Sequence, residues 1–330
     1  MKHESSPPLL HHHLRYSSRR ISSLAKPVVY FLCLLLAYSL GYLSSSTRNN
    51  NNNINNDKLP PAVHVNAVVC RTANTVISSG FTEADHNNFG AVCGEAVPPQ
   101  DVRSKIMERV FKGTSPWENF PPPHVDNFLR KKWVKGWGSK GAVFENLIRR
   151  VRPKTIIEVG TFLGASALHM VDLTRKLGLD DTQIICIDDF RGWPGFSDHP
   201  RMKDMKMVNG DVLLMYQFMQ NVVQANATES VVYMPFSSGS ALEKLCEWGV
   251  FGELIEVDAG HDFHSAWSDI NRAFKLLKPG SEGGVIFGHD YFTAADNRGV
   301  RRAVNLFARV YNLTVQIDGQ HWVFHIANRL

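Results

Sequence analysis

Short apolar runs alternate with segments of helical periodicity over the second half of the chain. Thr155–Val159 and Gln183–Ile187 are continuous β-branched and apolar runs, as expected of buried parallel strands, and Ala165–Leu177 carries apolar residues at helical spacing between them. Val231–Met234 and Glu253–Asp258 are two further runs of the same kind. The alternation predicts an α/β fold built from βαβ units.

The pattern continues to the C-terminal end of the chain. A fifth strand is predicted over Gly283–Asp290, a helix over Val300–Tyr311, and two closing strands over Leu313–Ile317 and Trp322–Ile326, joined by a turn at Asp318-Gly319. These elements predict a doubly wound, Rossmann-like sheet of seven strands, mostly parallel, with an antiparallel C-terminal hairpin and helices on both faces.

The N-terminal part has a different composition. Residues 27–47 contain no charged residue and are mostly apolar, which is just long enough to span a bilayer of roughly 30 Å. Residues 1–26 hold five Lys or Arg against one Glu, and only Arg48 follows the apolar segment closely. The positive-inside rule therefore predicts a cytosolic basic tail, a signal anchor and a luminal remainder. A cleaved signal peptide is the alternative, although its charged region would be unusually long.

Between the predicted span and the α/β region the sequence is polar. Residues 48–99, with the run Asn49–Asn53, are predicted to form a flexible stem. Residues 100–136 contain several aromatic residues and are interrupted by prolines. We expect this segment to form either a cap over the active site or a scaffold helix that covers the sheet. The catalytic domain is predicted over residues 137–330, which is ordinary for one α/β domain.

The cysteines and sequons fit an oxidising lumen. Cys186 and Cys246 are predicted to be core thiols, whereas Cys70 and Cys93 flank the end of the stem and could form a disulfide. Two N-glycosylation sequons begin at Asn226 and Asn312, a motif that often occurs by chance.

The net charge of +5 does not indicate a nucleic-acid substrate. The basic tail contributes +4 of it, five cations less one Glu, which leaves +1 for all other residues. Binding to phosphates normally requires a basic excess in the folded part.

The first predicted strand ends in an acid and a glycine-bracketed turn. Gly160 and Gly164 give the spacing G-x-x-x-G rather than the G-x-G-x-x-G of dinucleotide sites, and Glu158 precedes them. A carboxylate there repels a pyrophosphate and suits a ligand with an ammonium or sulfonium group, such as S-adenosylmethionine. An ordinary strand-to-helix turn with a solvated acid is the alternative.

The next strands end in further polar side chains. Asp188 is predicted to accept the hydroxyls of a ribose, a role that Asp189 could exchange with it, and Ser238 is best placed to meet an adenine edge. Plain loop and capping roles are the alternatives for these residues.

A last group of side chains follows the fourth and fifth strands. Asp258, His261, His289 and Asp290 should converge on the same sheet edge, where His261 could take a hydroxyl proton as a general base. The alternatives are a helix cap for His261 and loop N–H binding for the two aspartates.

Four pieces in this order carry a resemblance to a known family. They are Trp137-Gly-Ser-Lys-Gly141, Glu158–Gly164, Ile187-Asp188, and Asp258 followed by Leu277-Lys-Pro-Gly280 and His289-Asp290. From Trp137 to the C-terminus the chain resembles class I S-adenosylmethionine-dependent methyltransferases, within them the catechol/caffeoyl-CoA and sugar O-methyltransferase-like branch.

The resemblance implies roles for individual residues. It implies methyl-donor contacts from Glu158, Gly160, Ser166 and Asp188, with Ser238 at the adenine. Catechol-type enzymes also hold a divalent metal through an Asp after the fourth strand and an acidic pair after the fifth, with a lysine as base three residues past the first Asp. The matching positions here are Asp258, His289 and Asp290 for the metal, Mg²⁺ or Mn²⁺, and His261 for the base; His289 and His261 depart from the family pattern.

The sequence therefore predicts a membrane-anchored, S-adenosylmethionine-dependent O-methyltransferase. It would act on a glycan or small hydroxylated acceptor in the Golgi or another endomembrane lumen. A non-catalytic luminal protein that retains the fold is one alternative. A Golgi glycosyltransferase is another, although the chain lacks the Asp-x-Asp motif expected of one.

Overall fold

The structure is a computed structural model that describes most of the C-terminal part of the chain. The described residues are 92–326, apart from 193–198, 201, 203–204, 206, 209–210 and 279–283. The predicted membrane span and the stem up to residue 91 lie outside them. No helix among the described residues is both long and apolar enough to cross a membrane.

The strands form a seven-stranded mixed sheet and a two-stranded ribbon. Their bounds are β1 Thr155–Val159, β2 Gln183–Ile187, β3 Met207–Val208, β4 Asp211–Val212, β5 Val231–Met234, β6 Leu254–Val257, β7 Gly284–Gly288, β8 Gln316–Asp318 and β9 His321–Ile326. The large sheet has the order β5-β2-β1-β6-β7-β9-β8. Its first five members are parallel, and β9 runs antiparallel to both β7 and β8. The predicted fold class is confirmed.

Helices connect the strands and cover the sheet. Their bounds are α1 Val102–Phe111, α2 Pro123–Asp126, α3 Ala142–Val151, α4 Ala165–Lys176, α5 Leu214–Gln224, α6 Ser238–Glu247, α7 Phe263–Lys275 and α8 Ala295–Val310. The first residues of α8, Asp296 to Arg298, have left-handed backbone angles, so that its regular part begins close to the predicted Val300.

Two apolar cores lie on opposite faces of the sheet. Successive side chains of a strand point to opposite faces, so Ile157 of β1 packs into the core beneath α1, α6, α7 and α8, and Ile156 into the core beneath α3, α4 and α5. All five residues of β1 are buried. Burial on both faces explains why the central strands are continuous apolar runs rather than alternating ones.

A disulfide joins Cys93 to Cys246 at the end of α6, with 4.5 Å between the Cα atoms. The predicted pairing of Cys93 with Cys70 is therefore wrong, and so is the assignment of Cys246 as a free core thiol; Cys186 is free and buried as expected. The backbone explains the pairing. Gly94 N–H donates to the carbonyl of Cys246 at 2.8 Å and Val97 N–H to that of Gly249 at 2.8 Å, so the chain from residue 93 already belongs to the folded domain rather than to a stem.

The segment preceding the catalytic region begins with a scaffold helix. Val102 and Ile106 of α1 are buried in the core, and the Arg103 guanidinium donates to the carbonyls of Thr228 and Val231 at 2.6 and 3.1 Å. Helix α1 thus covers the β5 edge of the sheet, which favours the scaffold alternative for this part of residues 100–136. The end of the same segment, residues 134–136, lines a cleft beside the candidate site.

Candidate active site

The candidate site lies at the edge of the sheet where the parallel strands end. Neighbouring parallel strands bring their carboxyl ends to one edge, and an open α/β sheet binds its ligands there. The predicted residues at or just beyond these ends are Glu158 of β1, Asp188 after β2, Ser238 after β5, Asp258 after β6, and His289 and Asp290 after β7.

Glu158 is completely buried. Its carboxylate accepts hydrogen bonds from the hydroxyls of Thr161 and Ser166, the latter in the first turn of α4. Burial raises the pKa of Glu158, and the two hydroxyl groups oppose that rise. The hydrogen bond from Ser166 thus orients both side chains, which the resemblance implies as separate contacts to the methyl donor.

The two glycines of the turn have positive φ angles, +93° at Gly160 and +80° at Gly164. A Cβ atom added to Gly160 would lie 2.1 Å from the carbonyl oxygen of Asp258, and one added to Gly164 would lie 3.0 Å from the Phe218 ring. The turn after β1 therefore packs directly on the loop after β6. The space on the Cβ side of Gly160 is therefore filled by protein backbone and is not open to a ligand.

Asp188 holds the loop after β2 against the turn after β1. Its carboxylate accepts from the backbone N–H groups of Phe162 at 2.8 Å and Phe190 at 2.7 Å. Each carboxylate oxygen keeps a further lone pair with which it can accept a ribose hydroxyl. Asp189 instead accepts from the N–H of Arg191 at 3.0 Å. Of the two acids predicted as alternative ribose ligands, Asp188 is the one that is hydrogen-bonded to the turn after β1.

Ser238 is the first residue of α6. Its hydroxyl donates to Oδ1 of Asp269 on α7 at 2.7 Å. Asp269 was missed by the sequence analysis. The available signal was an acid within the apolar face of a helix, since Ala266, Ile270 and Ala273 around it are buried as well.

Asp258, His261 and Asp290 form a compact cluster. His261 Nε2 lies 3.1 Å from Oδ2 of Asp290 and 3.9 Å from Oδ1 of Asp258. One ligand atom from each side chain lies within 4.8 Å of the others, so the three side chains could hold a metal ion. Asp290 adopts a left-handed backbone conformation, with φ at 60°, and its carboxylate accepts from the Thr293 hydroxyl.

The cluster has unusual protonation equilibria. Hydrogen bonds to Asp258 and to Asp290 raise the pKa of His261 to about 10. Burial raises the pKa of Asp290, but hydrogen bonds from His261, His289 and Thr293 outweigh burial and lower it. An imidazole with this pKa is protonated at neutral pH. As the cluster stands, His261 therefore lacks the unprotonated ring that its predicted role as a general base requires.

His289 lies beside this cluster rather than within it. Its Nδ1 is buried and lies 3.4 Å from Oδ1 of Asp290. Its ring packs 4.8 Å from that of His321, and a Cβ atom on Gly138 would lie 2.3 Å from its Nε2. The predicted metal set of Asp258, His289 and Asp290 is thus not the set that the structure groups, because the His289 ring is packed between neighbouring residues.

His261 does not cap the following helix. The side chain of Asp262 accepts from the N–H groups of His264 and Ser265 at 3.0 and 3.1 Å and caps α7. The capping alternative for His261 is therefore wrong, and its ring is left to contact the two aspartates.

A cleft of about 740 Å³ opens beside these residues. One wall is the segment from Val134 to Val143, which includes most of the Trp137–Gly141 piece and the start of α3, and the opposite wall is the hairpin turn between β8 and β9. His289 and Ala165, the first residue of α4, also line it. The cleft therefore lies between the start of α4 and His289, the residue before Asp290.

The strand order and the antiparallel C-terminal pair are those of a Rossmann-like methyltransferase fold. Residues 157–291 match a family described as a methyltransferase domain, over somewhat less than half of the chain. The match begins in β1 and ends directly after Asp290. Over these residues the chain is therefore similar to a methyltransferase domain.

Solved structures of similar fold include O-methyltransferases. One is from Bacillus cereus, in complex with SAH, with 15% sequence identity and a TM-score of 0.42, over 75% of this chain and 98% of that chain. Another is TomG from Streptomyces achromogenes, in complex with SAM, with 13% identity and a TM-score of 0.41, over 76% and 97% of the two chains. No curated protein matches this chain.

Proposed function

We propose that this protein transfers the methyl group of S-adenosylmethionine to a hydroxyl oxygen of a glycan or small hydroxylated acceptor. The observation that carries the proposal is the placement of Glu158 and Asp188 at adjacent strand ends, with the cluster of Asp258, His261 and Asp290 directly beyond the turn at Gly160. A donor site and a site for acid–base chemistry thus share one edge of the sheet.

Each donor residue has a role that its geometry allows. Glu158, oriented by Ser166 and Thr161, offers a buried negative charge to the cationic part of the donor. Asp188, held by two backbone N–H groups, accepts the ribose hydroxyls. Ser238 presents its oxygen to the adenine.

Methyl transfer to oxygen is an in-line displacement. The S–CH₃ bond breaks as the O–CH₃ bond forms, and the hydroxyl proton must leave. Positioning supplies the larger part of such catalysis, and a base adds roughly 10²–10⁴-fold. We assign Asp258 and Asp290 to a divalent cation, because paired carboxylates are ligands that Mg²⁺ and Mn²⁺ accept. When bound, that cation would orient the acceptor hydroxyl and lower its pKa.

His261 is assigned to the proton. Its pKa is raised by hydrogen bonds to the same two carboxylates that we assign to the cation. When Asp258 and Asp290 bind the cation, the imidazole loses its hydrogen bonds to them, and its pKa returns toward about 6.5. With that pKa the imidazole can accept a proton at neutral pH.

We further propose that the domain works in the lumen of the Golgi or a related endomembrane compartment, with residues 27–47 as a signal anchor. The disulfide between Cys93 and Cys246 supports this, because disulfides form and persist in oxidising compartments and are rare in the cytosol. A protease-protection assay on intact membrane vesicles tests it: digestion of the domain without detergent would contradict a luminal location.

Calorimetric titration of the full-length chain with S-adenosylmethionine, with and without Mn²⁺, tests the donor site. We expect saturable binding that Asp188→Ala weakens at least tenfold, because two hydrogen bonds to the ribose are lost. Asp189→Ala is the matched control, since its carboxylate contacts only the N–H of Arg191 among the described residues. A folded chain that binds no donor, or an equal effect of both substitutions, would contradict the assignment.

A further inference from the structure

Asp269 is a buried acid that the proposed chemistry does not use. It lies in the middle of α7 and is 3% exposed, beside the buried Ala266, Ile270 and Ala273 and within range of the Arg272 charge. Its hydrogen-bond partner within the described part of the chain is the Ser238 hydroxyl. Burying a carboxylate costs free energy unless the group is hydrogen-bonded. If the hydrogen bond between Ser238 and Asp269 served packing alone, two apolar side chains of similar shape could replace the pair.

The bond fixes the direction of the Ser238 hydroxyl. Burial raises the pKa of Asp269 to about 6, so the group is mainly ionised at pH 7.5. An ionised carboxylate can only accept hydrogen bonds, and a serine hydroxyl has one proton. That proton is directed to Asp269, so Ser238 Oγ can offer only lone pairs to any other group.

Ser238 stands next to the predicted ribose site. Met234, the last residue of β5, pairs with Ile187 of β2, the residue before Asp188. Ser238 follows Met234 by four residues and opens α6 at the same sheet edge. A base attached to a ribose held by Asp188 therefore lies within the neighbourhood of Ser238.

We propose that Asp269 is a positioning residue that sets base selectivity in the donor site by making Ser238 an obligate hydrogen-bond acceptor. Adenine offers a donor, its exocyclic amine, and satisfies such a group. Hypoxanthine has a carbonyl oxygen at the same position, and two acceptors then face each other. The inference rests on the proposed function, because it requires the donor to bind at this edge.

Calorimetric titration of the full-length chain with S-adenosylhomocysteine and S-inosylhomocysteine tests the proposal. The wild-type chain should prefer the adenine ligand. In Asp269→Asn the amide can donate to Ser238 Oγ and free the hydroxyl proton for the ligand, so the preference should fall roughly tenfold or more. Asp172→Asn makes the same chemical change at an exposed position of α4 and should leave the preference unaltered.

Ser238→Ala gives a second measurement, made by changing a half-buried residue instead of the buried acid. It should weaken adenine binding and leave hypoxanthine binding unchanged or improved, and Asp269→Asn should add no change of selectivity in that background. Unaltered selectivity in Asp269→Asn or in Ser238→Ala, with S-adenosylhomocysteine still bound, would overturn the inference and leave the proposed function standing. Failure of the folded wild-type chain to bind S-adenosylhomocysteine would overturn both.

Discussion

Removing the disulfide between Cys93 and Cys246 should destabilise the domain strongly. The bond joins residues separated by 153 positions. For a loop of that length the chain-entropy relation gives about 5 kcal/mol, whereas measured values for native disulfides are more often about 2–4 kcal/mol. A double substitution, Cys93→Ser with Cys246→Ser, should therefore lower the free energy of unfolding by about 2–5 kcal/mol.

Thermal unfolding is the direct assay. For a domain of this size, 1 kcal/mol corresponds to a change in Tm of about 2–4 °C, so a decrease of about 4–20 °C is expected. The wild-type chain in reducing agent should unfold like the double variant, and the double variant should not respond to the reducing agent. Cys186 is free and buried in both, so it cancels in the comparison.

Two results would refute this reasoning. One is a wild-type Tm that does not change on reduction. The other is a non-reduced peptide digest in which Cys93 is linked to a cysteine other than Cys246, which would also reopen the pairing with Cys70 that the sequence suggested.

Three further predictions concern the site. Asp258→Ala or His261→Ala should lower turnover by roughly 10²-fold or more while donor affinity is retained, because these side chains act on the acceptor hydroxyl; full activity of both variants would contradict their roles. Chelation of divalent cations should abolish turnover, and Mn²⁺ should restore it in the wild-type chain but not in Asp290→Ala, as single-turnover assays would show. In cation-free buffer the pKa of His261 is higher in the folded than in the unfolded chain, so the protonated histidine contributes to the free energy of unfolding. This contribution is complete below about pH 6.5 and is lost as the pH rises through about 10. His261→Gln should therefore lower the Tm more at pH 6 than at pH 10.5, and an equal change at both values would show that the histidine is not paired with the aspartates.

The central strands could be predicted closely from the sequence. The structure places β1, β2 and β5 over the predicted Thr155–Val159, Gln183–Ile187 and Val231–Met234. Each is an apolar run buried on both faces and bounded by polar or turn residues, so burial and sequence pattern coincide. The strand predicted over Leu313–Ile317 is instead Gln316–Asp318. All three of its residues are exposed at the sheet edge, so no burial pattern marks its register.

The contacts between elements could not be read from the sequence in the same way. Strand-end acids such as Glu158 and Asp188 follow from topology, because every parallel strand ends at the same edge. The grouping of His261, rather than His289, with both aspartates depends on three-dimensional packing, in which the His289 ring contacts Gly138 and His321. The pairing of Cys93 similarly depends on where residues 93–97 run along the end of α6, which no local pattern encodes.

The contact between Gly160 and the carbonyl of Asp258 has a mechanical consequence. It is made by main chain on main chain, with no side chain between the two loops that could change rotamer or be exchanged for a longer or shorter one. The loop that would hold the methyl donor and the loop that would hold the acceptor hydroxyl therefore behave as one rigid part. In the proposed reaction, the backbone at the sheet edge would set the distance between the methyl carbon and the hydroxyl oxygen. Substitutions in the cleft walls could then change the acceptor without changing the geometry of methyl transfer.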